Sequence, residues 1–232
     1  MAKERKKPEE EVIEEVLENH DLQEEGIISE SFFDKNKNII FGAGVAVLIG
    51  VALYFMYQNN SEENERVAQI ELFKVQQAFA QDSLHLVING DGLTNKGATY
   101  IASEYSSTKA GNLANYYLGV AKLKQGSFPE AIESLSKFNS DDFIVQARAY
   151  SLIGDANLES GKVDEAIKFY KKATEYKPTK EFTPNYLLKL AIAFELKGDN
   201  QGASSAYEVI VTQYPTSSAA NTAKRNIAKH KG

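Results

Sequence analysis

Apolar positions along this chain fall into three regimes. Residues 39–57 (IIFGAGVAVLIGVALYFMY) are almost wholly apolar over 19 residues, and no charged residue lies between Lys37 and Glu62. As a helix this stretch is roughly 28 Å long at ~1.5 Å per residue, close to the ~30 Å hydrocarbon core of a bilayer. The pattern predicts one transmembrane helix over 39–57. Before it, residues 8–22 (PEEEVIEEVLENHDL) set Val12, Ile13, Val16 and Leu17 at helical spacing among glutamates. After it, from about residue 62, apolar residues return with helical period in successive segments punctuated by glycine and proline.

The flanks set an orientation. Lys35 and Lys37 precede the span, whereas Glu62, Glu63 and Glu65 follow it with only Arg66 opposing. The positive-inside rule then places the N-terminus in the cytoplasm and residues from about 62 onward on the trans side, with Tyr54 and Tyr57 as interfacial anchors. For a bacterial inner membrane the trans side is the periplasm. A cleaved signal peptide is the competing reading, but 38 residues come before the apolar run, which ends in bulky Tyr54, Phe55, Met56 and Tyr57 rather than a small-residue cleavage site. Gly42, Ala46 and Gly50 recur every fourth residue and form one strip that suits either a lone anchor or close approach of another transmembrane helix. The head, residues 1–38, is acidic and reads as a solvated, partly disordered tail or as a short amphipathic helix that docks on a cytoplasmic protein.

The body carries an internal period. Gly119, Gly126 and Ala131 (LGVAKLKQGSFPEAI) recur 35 residues later as Gly154, Gly161 and Ala166 (IGDANLESGKVDEAI), and 37 residues after that as Ala191, Gly198 and Ala203 (LAIAFELKGDNQGAS). Each copy reads as two helices with a glycine turn between them and a small residue where the second helix presses on the first. Ser127 with Glu130 fits an N-capping box, Thr183 with Pro184 fits a helix start, and Pro178 and Pro215 end the second and third copies.

On these residues the chain resembles the tetratricopeptide repeat family, whose unit of about 34 residues carries a large, small, glycine or alanine, aromatic, alanine, aromatic and proline pattern. The second copy matches best through Tyr150, Ile153, Gly154, Gly161, Ala166, Tyr170, Ala173 and Pro178. The third has Leu187, Leu190, Ala191, Phe194, Ala203, Tyr207, Ile210 and Pro215; the first has Leu118, Gly119, Ala131, Leu135 and Phe138, but Asn115 stands where the pattern has a bulky residue. The fold expected is all-α: a helical-hairpin solenoid preceded by one N-terminal transmembrane helix. Its parts are three repeats over 112–145, 147–180 and 184–215, a degenerate first helix pair within 62–111, and a capping helix within 216–232. That first pair is read as 64–81 and 94–105, with the Gly/Asp segment 87–93 (VINGDGL) between them as a turn.

Composition narrows the function. The net charge of −6 is uneven: residues 1–62 hold six Lys/Arg and 13 Asp/Glu, leaving 20 and 19 in the body. Neither part has the basic face that phosphate-backbone binding needs, which argues against nucleic acid. There is no cysteine, so no thiolate nucleophile, disulfide or cysteine metal site exists. His20, His85 and His230 lie far apart, and no GxSxG, GxxxxGK[ST], HExxH or glycine-rich dinucleotide loop occurs. No cofactor, metal or catalytic residue is expected.

The first helix of each hairpin lines the inner surface of such a solenoid. Registering the copies points Tyr116, Val120 and Leu123, then Ser151, Asp155 and Leu158, then Leu188 and Ile192 inward. Each of these side chains either lines a groove or packs between repeats. The layout of short acidic head, single span and trans-side repeats also resembles the YfgM family of ancillary subunits of the bacterial Sec translocon. That resemblance implies protein partners, the translocon channel and a membrane-anchored periplasmic chaperone of the peptidyl-prolyl isomerase type, and a chaperone-like role in export. A structural adaptor of an envelope assembly, cell-division or secretion machine is the alternative.

Overall fold

The structure, a computed structural model, describes the backbone of residues 9–230 and the side chains of 35–56 and 58–228. The chain divides into two compact units, Met1–Asn60 and Ser61–Gly232. In the first, the backbone from Glu9 onward belongs to α1 (Glu9–Ala80). No proline interrupts this helix, since Pro8 precedes it and the next is Pro129. The apolar residues 39–56 are exposed throughout, and α1 contains a stretch long and apolar enough to cross a membrane by length and composition. The side chains of Val12, Ile13, Val16, Leu17 and Tyr57 lie outside the described residues, as does the acidic head's start.

The second unit is helical wherever it is regular. The last turns of α1 are followed by α2 (Leu84–Ile88) and α3 (Gly97–Glu104). Three hairpins come next: α4 (Lys109–Lys124) with α5 (Phe128–Lys137), α6 (Phe143–Glu159) with α7 (Val163–Glu175), and α8 (Thr183–Lys197) with α9 (Asn200–Gln213). The closing helix is α10 (Ser218–His230).

Each hairpin turns at a glycine in the left-handed region: Gly126, Gly161 and Gly198 have φ of 78°, 72° and 80°. An ordinary residue adopts that conformation only with strain. Within each hairpin a small residue on the first helix faces a large one on the second. A Cβ built on Gly119 would lie 2.5 Å from Leu135 Cγ, and one on Gly154 2.6 Å from the Tyr170 ring. In the third hairpin Ala191 and Tyr207 occupy these positions, both fully buried. Ala131, Ala166 and Ala203, on the second helices, are also completely buried.

The leading pair is more elaborate than a helix, a turn and a helix. The five-residue α2 buries Val87 and Ile88 against Ala68, Leu72 and Val75 of α1 and Ala98 and Ile101 of α3. Its loop is organised by one carboxylate. Asp91 Oδ1 accepts from the amides of Leu93, Thr94 and Asn95 at 2.8 Å each, and Oδ2 accepts from the Thr94 hydroxyl. Three amide donors and a hydroxyl hold that carboxyl well below its ordinary range, the Asn95 amide contributing most. With Asn95 drawn back to Asp91, α3 starts at Gly97, later than residue 94. Lys124 of α4 closes the pair, 2.5 Å from Asp82 and over the Phe79 ring.

One predicted cap does not form. Ser127 precedes α5 but its hydroxyl takes no amide. Its ψ is 68°, whereas Thr108, at ψ 159°, accepts from Gly111 N and caps α4. A short serine side chain needs that extended backbone to reach the third amide. Asp199, at ψ 78°, has one more bond of reach and does accept from Gly202 N. Pro184 sits in the first turn of α8 as expected.

Gly154→Val drives a branched side chain into the Tyr170 ring and is expected to cost about 2–3 kcal/mol, whereas Gly161→Ala, strained but unobstructed, costs about 1 kcal/mol. Thermal unfolding of the chain in detergent, followed by circular dichroism, measures both; a Gly154→Val variant as stable as the parent would contradict the close contact.

Candidate functional site

The first helices α4, α6 and α8 carry one face of the solenoid, and its polar chemistry centres on the seam between the second and third hairpins. Lys189 of α8 reaches back to α6, its Nζ 2.6 and 2.9 Å from the Asp155 oxygens and 3.3 Å from Ser151 Oγ. Tyr170 of α7 donates its hydroxyl to Asp155 Oδ1 at 2.7 Å. The tyrosine ring is fixed by the contact at Gly154, so its hydroxyl can emerge only there and needs an acceptor. Burial, and then the Asp155 charge, push the Tyr170 phenol far above its ordinary range. The third hairpin repeats the device with different spacing. Tyr207 donates to Glu195 Oε1 at 2.9 Å and accepts from Asn226 of α10 at 2.8 Å. Burial pushes its phenol up to about 12, with Asn226 opposing and Glu195 adding.

The residues expected to point inward divide by burial. Tyr116 and Val120 are 9% and 6% exposed and pack with Leu135, Phe138, Ala149 and Ile153, filling the space between the first two hairpins. Ser151 is 2% exposed and serves Lys189. Leu123, Asp155 and Leu158 are half-buried and line an open cleft with Phe128, Glu159 and Tyr170. Leu188 is half-buried against the third hairpin's core, and Ile192 is exposed, as is Leu196 one turn further on. The accessible part of the face is therefore Leu123, Asp155, Leu158, Leu188 and Ile192.

Lys189, the Tyr170 hydroxyl and Leu196 were not among the expected lining. A lysine on α8 near the level of Asp155 was the available signal for the bridge, but pairing them needs the offset between hairpins, which the period alone does not supply. Gly42, Ala46 and Gly50 lie on α1 in the first unit, all exposed, and a Cβ on Gly42 or Gly50 would meet nothing within 4 Å.

Residues 147–180 and 186–217 each match a family model described as tetratricopeptide repeat. The second and third hairpins are tetratricopeptide repeats. Such repeats are protein–protein interaction modules; of the accessible residues above, Asp155, Leu158, Leu188 and Ile192 lie on the first helices of these two hairpins and Leu123 lies on α4. No curated protein matches the chain. The α4–α5 hairpin has the same turn glycine and buried alanine as the two matched segments, with Leu135 against Gly119 where the second hairpin has Tyr170 against Gly154.

A phenol whose value rises on folding stabilises the folded chain fully below its ordinary value of 10.0, and that contribution is lost as pH climbs through about 12. Stability is thus expected to fall between these limits, and Tyr207→Phe to make the fall shallower. Denaturant titrations across that pH range, with phenolate absorbance as a second signal, check this; an unchanged slope in the variant would assign the loss to other groups.

Proposed function

We propose that the chain is a membrane-anchored scaffold that holds polypeptide on the face of its tetratricopeptide repeats. The supporting observation is the presence, in one chain, of a stretch long and apolar enough to span a bilayer and two repeats of an interaction module. Leu123, Leu158, Leu188 and Ile192 supply apolar contacts for a partner, and the Asp155–Lys189 pair supplies a polar mark between them. The charge flanking residues 39–57 supports an N-terminus in the cytoplasm and a solenoid in the periplasm of a bacterial inner membrane.

Within that reading, the layout favours an ancillary subunit of the Sec translocon, as in the YfgM family. Its partners are then the translocon channel and a membrane-anchored periplasmic chaperone of the peptidyl-prolyl isomerase type, and its task is to keep a chaperone close to emerging chains. The strip Gly42, Ala46 and Gly50 serves as the contact with another transmembrane helix, since small residues let backbones approach.

Purification of the tagged full-length protein in mild detergent tests this. Recovery of the channel and a periplasmic foldase is expected, with loss of the channel alone when Gly42, Ala46 and Gly50 are all replaced by leucine. Consistent recovery of a division, secretion or other envelope machine without the channel would overturn the translocon role in favour of a structural adaptor.

A further inference from the structure

The cleft between the first two hairpins has an open volume of about 450 Å³, within the roughly 300–1,000 Å³ of ligand clefts. Leu123 and Phe128 form its apolar wall on the first hairpin, and Leu158 on the second. Leu123 and Phe128 are half-buried and belong to none of the buried clusters that hold the hairpins together. Their remaining apolar surface is open to a ligand.

Of the charged side chains in the lining, Lys124 and Asp155 are answered from within the chain. Lys124 turns to the leading pair, against the Asp82 carboxylate and over the Phe79 ring. Asp155 takes Lys189 on both oxygens and the Tyr170 hydroxyl on one. Glu159, exposed one turn beyond Asp155, forms neither a hydrogen bond nor an ion pair among the described residues. Its counterparts in the stack explain this. At the register of Glu159 the first hairpin has Lys124, engaged on its far side, and the third has Leu196, which cannot pair. After burial and Asp155, the Glu159 charge adds to the rise of the Tyr170 phenol, so this carboxylate lies within electrostatic reach of the hydroxyl at the cleft's polar corner. With Lys124 matched by Asp82 and Lys189 by Asp155, Glu159 leaves the cleft in excess of negative charge.

We infer that this cleft selects a cationic side chain: a partner polypeptide lays the aliphatic stem of an arginine or lysine along Leu123, Phe128 and Leu158 and sets its charge against Glu159. The inference rests on the function proposed above, that this face holds polypeptide, and adds the chemistry of what is held. Long cationic side chains suit such a place, because their methylene stems cover apolar surface while the charged head stays at the solvent edge. An anionic side chain meets Glu159 unopposed, since the one cation in the lining is already drawn to Asp82. A metal ion is a poor match: one free carboxylate falls far short of the ~6–8 oxygens that calcium takes, and those of Asp155 are spent.

The test uses the full-length protein in phosphatidylcholine nanodiscs, with empty nanodiscs as the blank. Three dye-labelled peptides, identical except for a central arginine, citrulline or glutamate between leucines, are titrated at low salt and followed by fluorescence anisotropy. The arginine peptide is expected to bind about fivefold more tightly than its neutral citrulline isostere, the upper range for a solvent-accessible ion pair, and the glutamate peptide to bind most weakly. Glu159→Gln should bring the arginine peptide down to the citrulline level without changing the latter, and Glu159→Lys should reverse the order of arginine and glutamate. Leu123→Ala should weaken all three alike. Equal affinity for arginine and citrulline, or an arginine preference that survives in Glu159→Gln, would overturn the inference; the face would then hold polypeptide without choosing its charge if Leu123→Ala still weakens all three. Absence of saturable binding by any peptide would overturn both readings. The arginine and citrulline comparison on the parent protein decides the matter if a variant fails to fold.

Discussion

Two helices can lie close together only where one of them lacks a side chain in the way, and this solenoid rests on three such places. Gly119 receives Leu135, Gly154 receives the Tyr170 ring, and Ala191 shares its core with Tyr207, always sixteen residues further along the chain. The constant separation follows from the turn, because a left-handed glycine seven residues after the small position reverses the chain at the same point in each copy. Interhelical contact at this range fixes the roll of the second helix. That in turn fixes which of its residues meet the next hairpin.

The large partner also decides what the accessible face contains. Where it is tyrosine, a hydroxyl arrives at the first helix and a carboxylate is there to receive it: Asp155 for Tyr170, Glu195 for Tyr207. Where it is Leu135 there is no hydroxyl, and the residue at the level of Asp155 is Val120, buried in the seam. The face is therefore apolar at the first hairpin, where Val120 is buried and Leu123 opens onto the cleft, and polar and partly open at the second and third. A buried phenol without an acceptor would cost a desolvation penalty of about 1–3 kcal/mol, which explains why tyrosine and carboxylate occur together.

Much of this was legible in the chain. The repeat period, the glycine turns and the spanning-length apolar run are local patterns whose physical meaning does not depend on distant contacts. What was not legible depends on such contacts. The bridge from Lys189 to Asp155 joins residues on different hairpins, and the burial of Tyr116 and Val120 follows from how Phe138, Ala149 and Ile153 close over them. The helix α2 is not legible in the chain because LHLVI, five residues long, is too short for a 3.6-residue period to declare itself. The cap at Ser127 failed on a backbone angle, which residue identity does not specify.

Two ion pairs from α8 back to the second hairpin, Lys189–Asp155 and Lys197–Asp164, tie that seam by charge. The first hairpin is itself closed by uncharged amide contacts, Asn112 and the Asn139 backbone exchanging bonds of 2.7 and 3.0 Å. In a stacked array, cooperativity is the sum of couplings between neighbours. Partly exposed charge pairs weaken as the Debye length shrinks from ~8 Å at physiological salt to ~3 Å at 1 M, whereas amide contacts do not. Ionic strength therefore acts on this solenoid at two joints: concentrated salt loosens the third hairpin's allegiance to the second and the Lys124–Asp82 tie of the first hairpin to the leading pair, and leaves the first hairpin's own closure untouched.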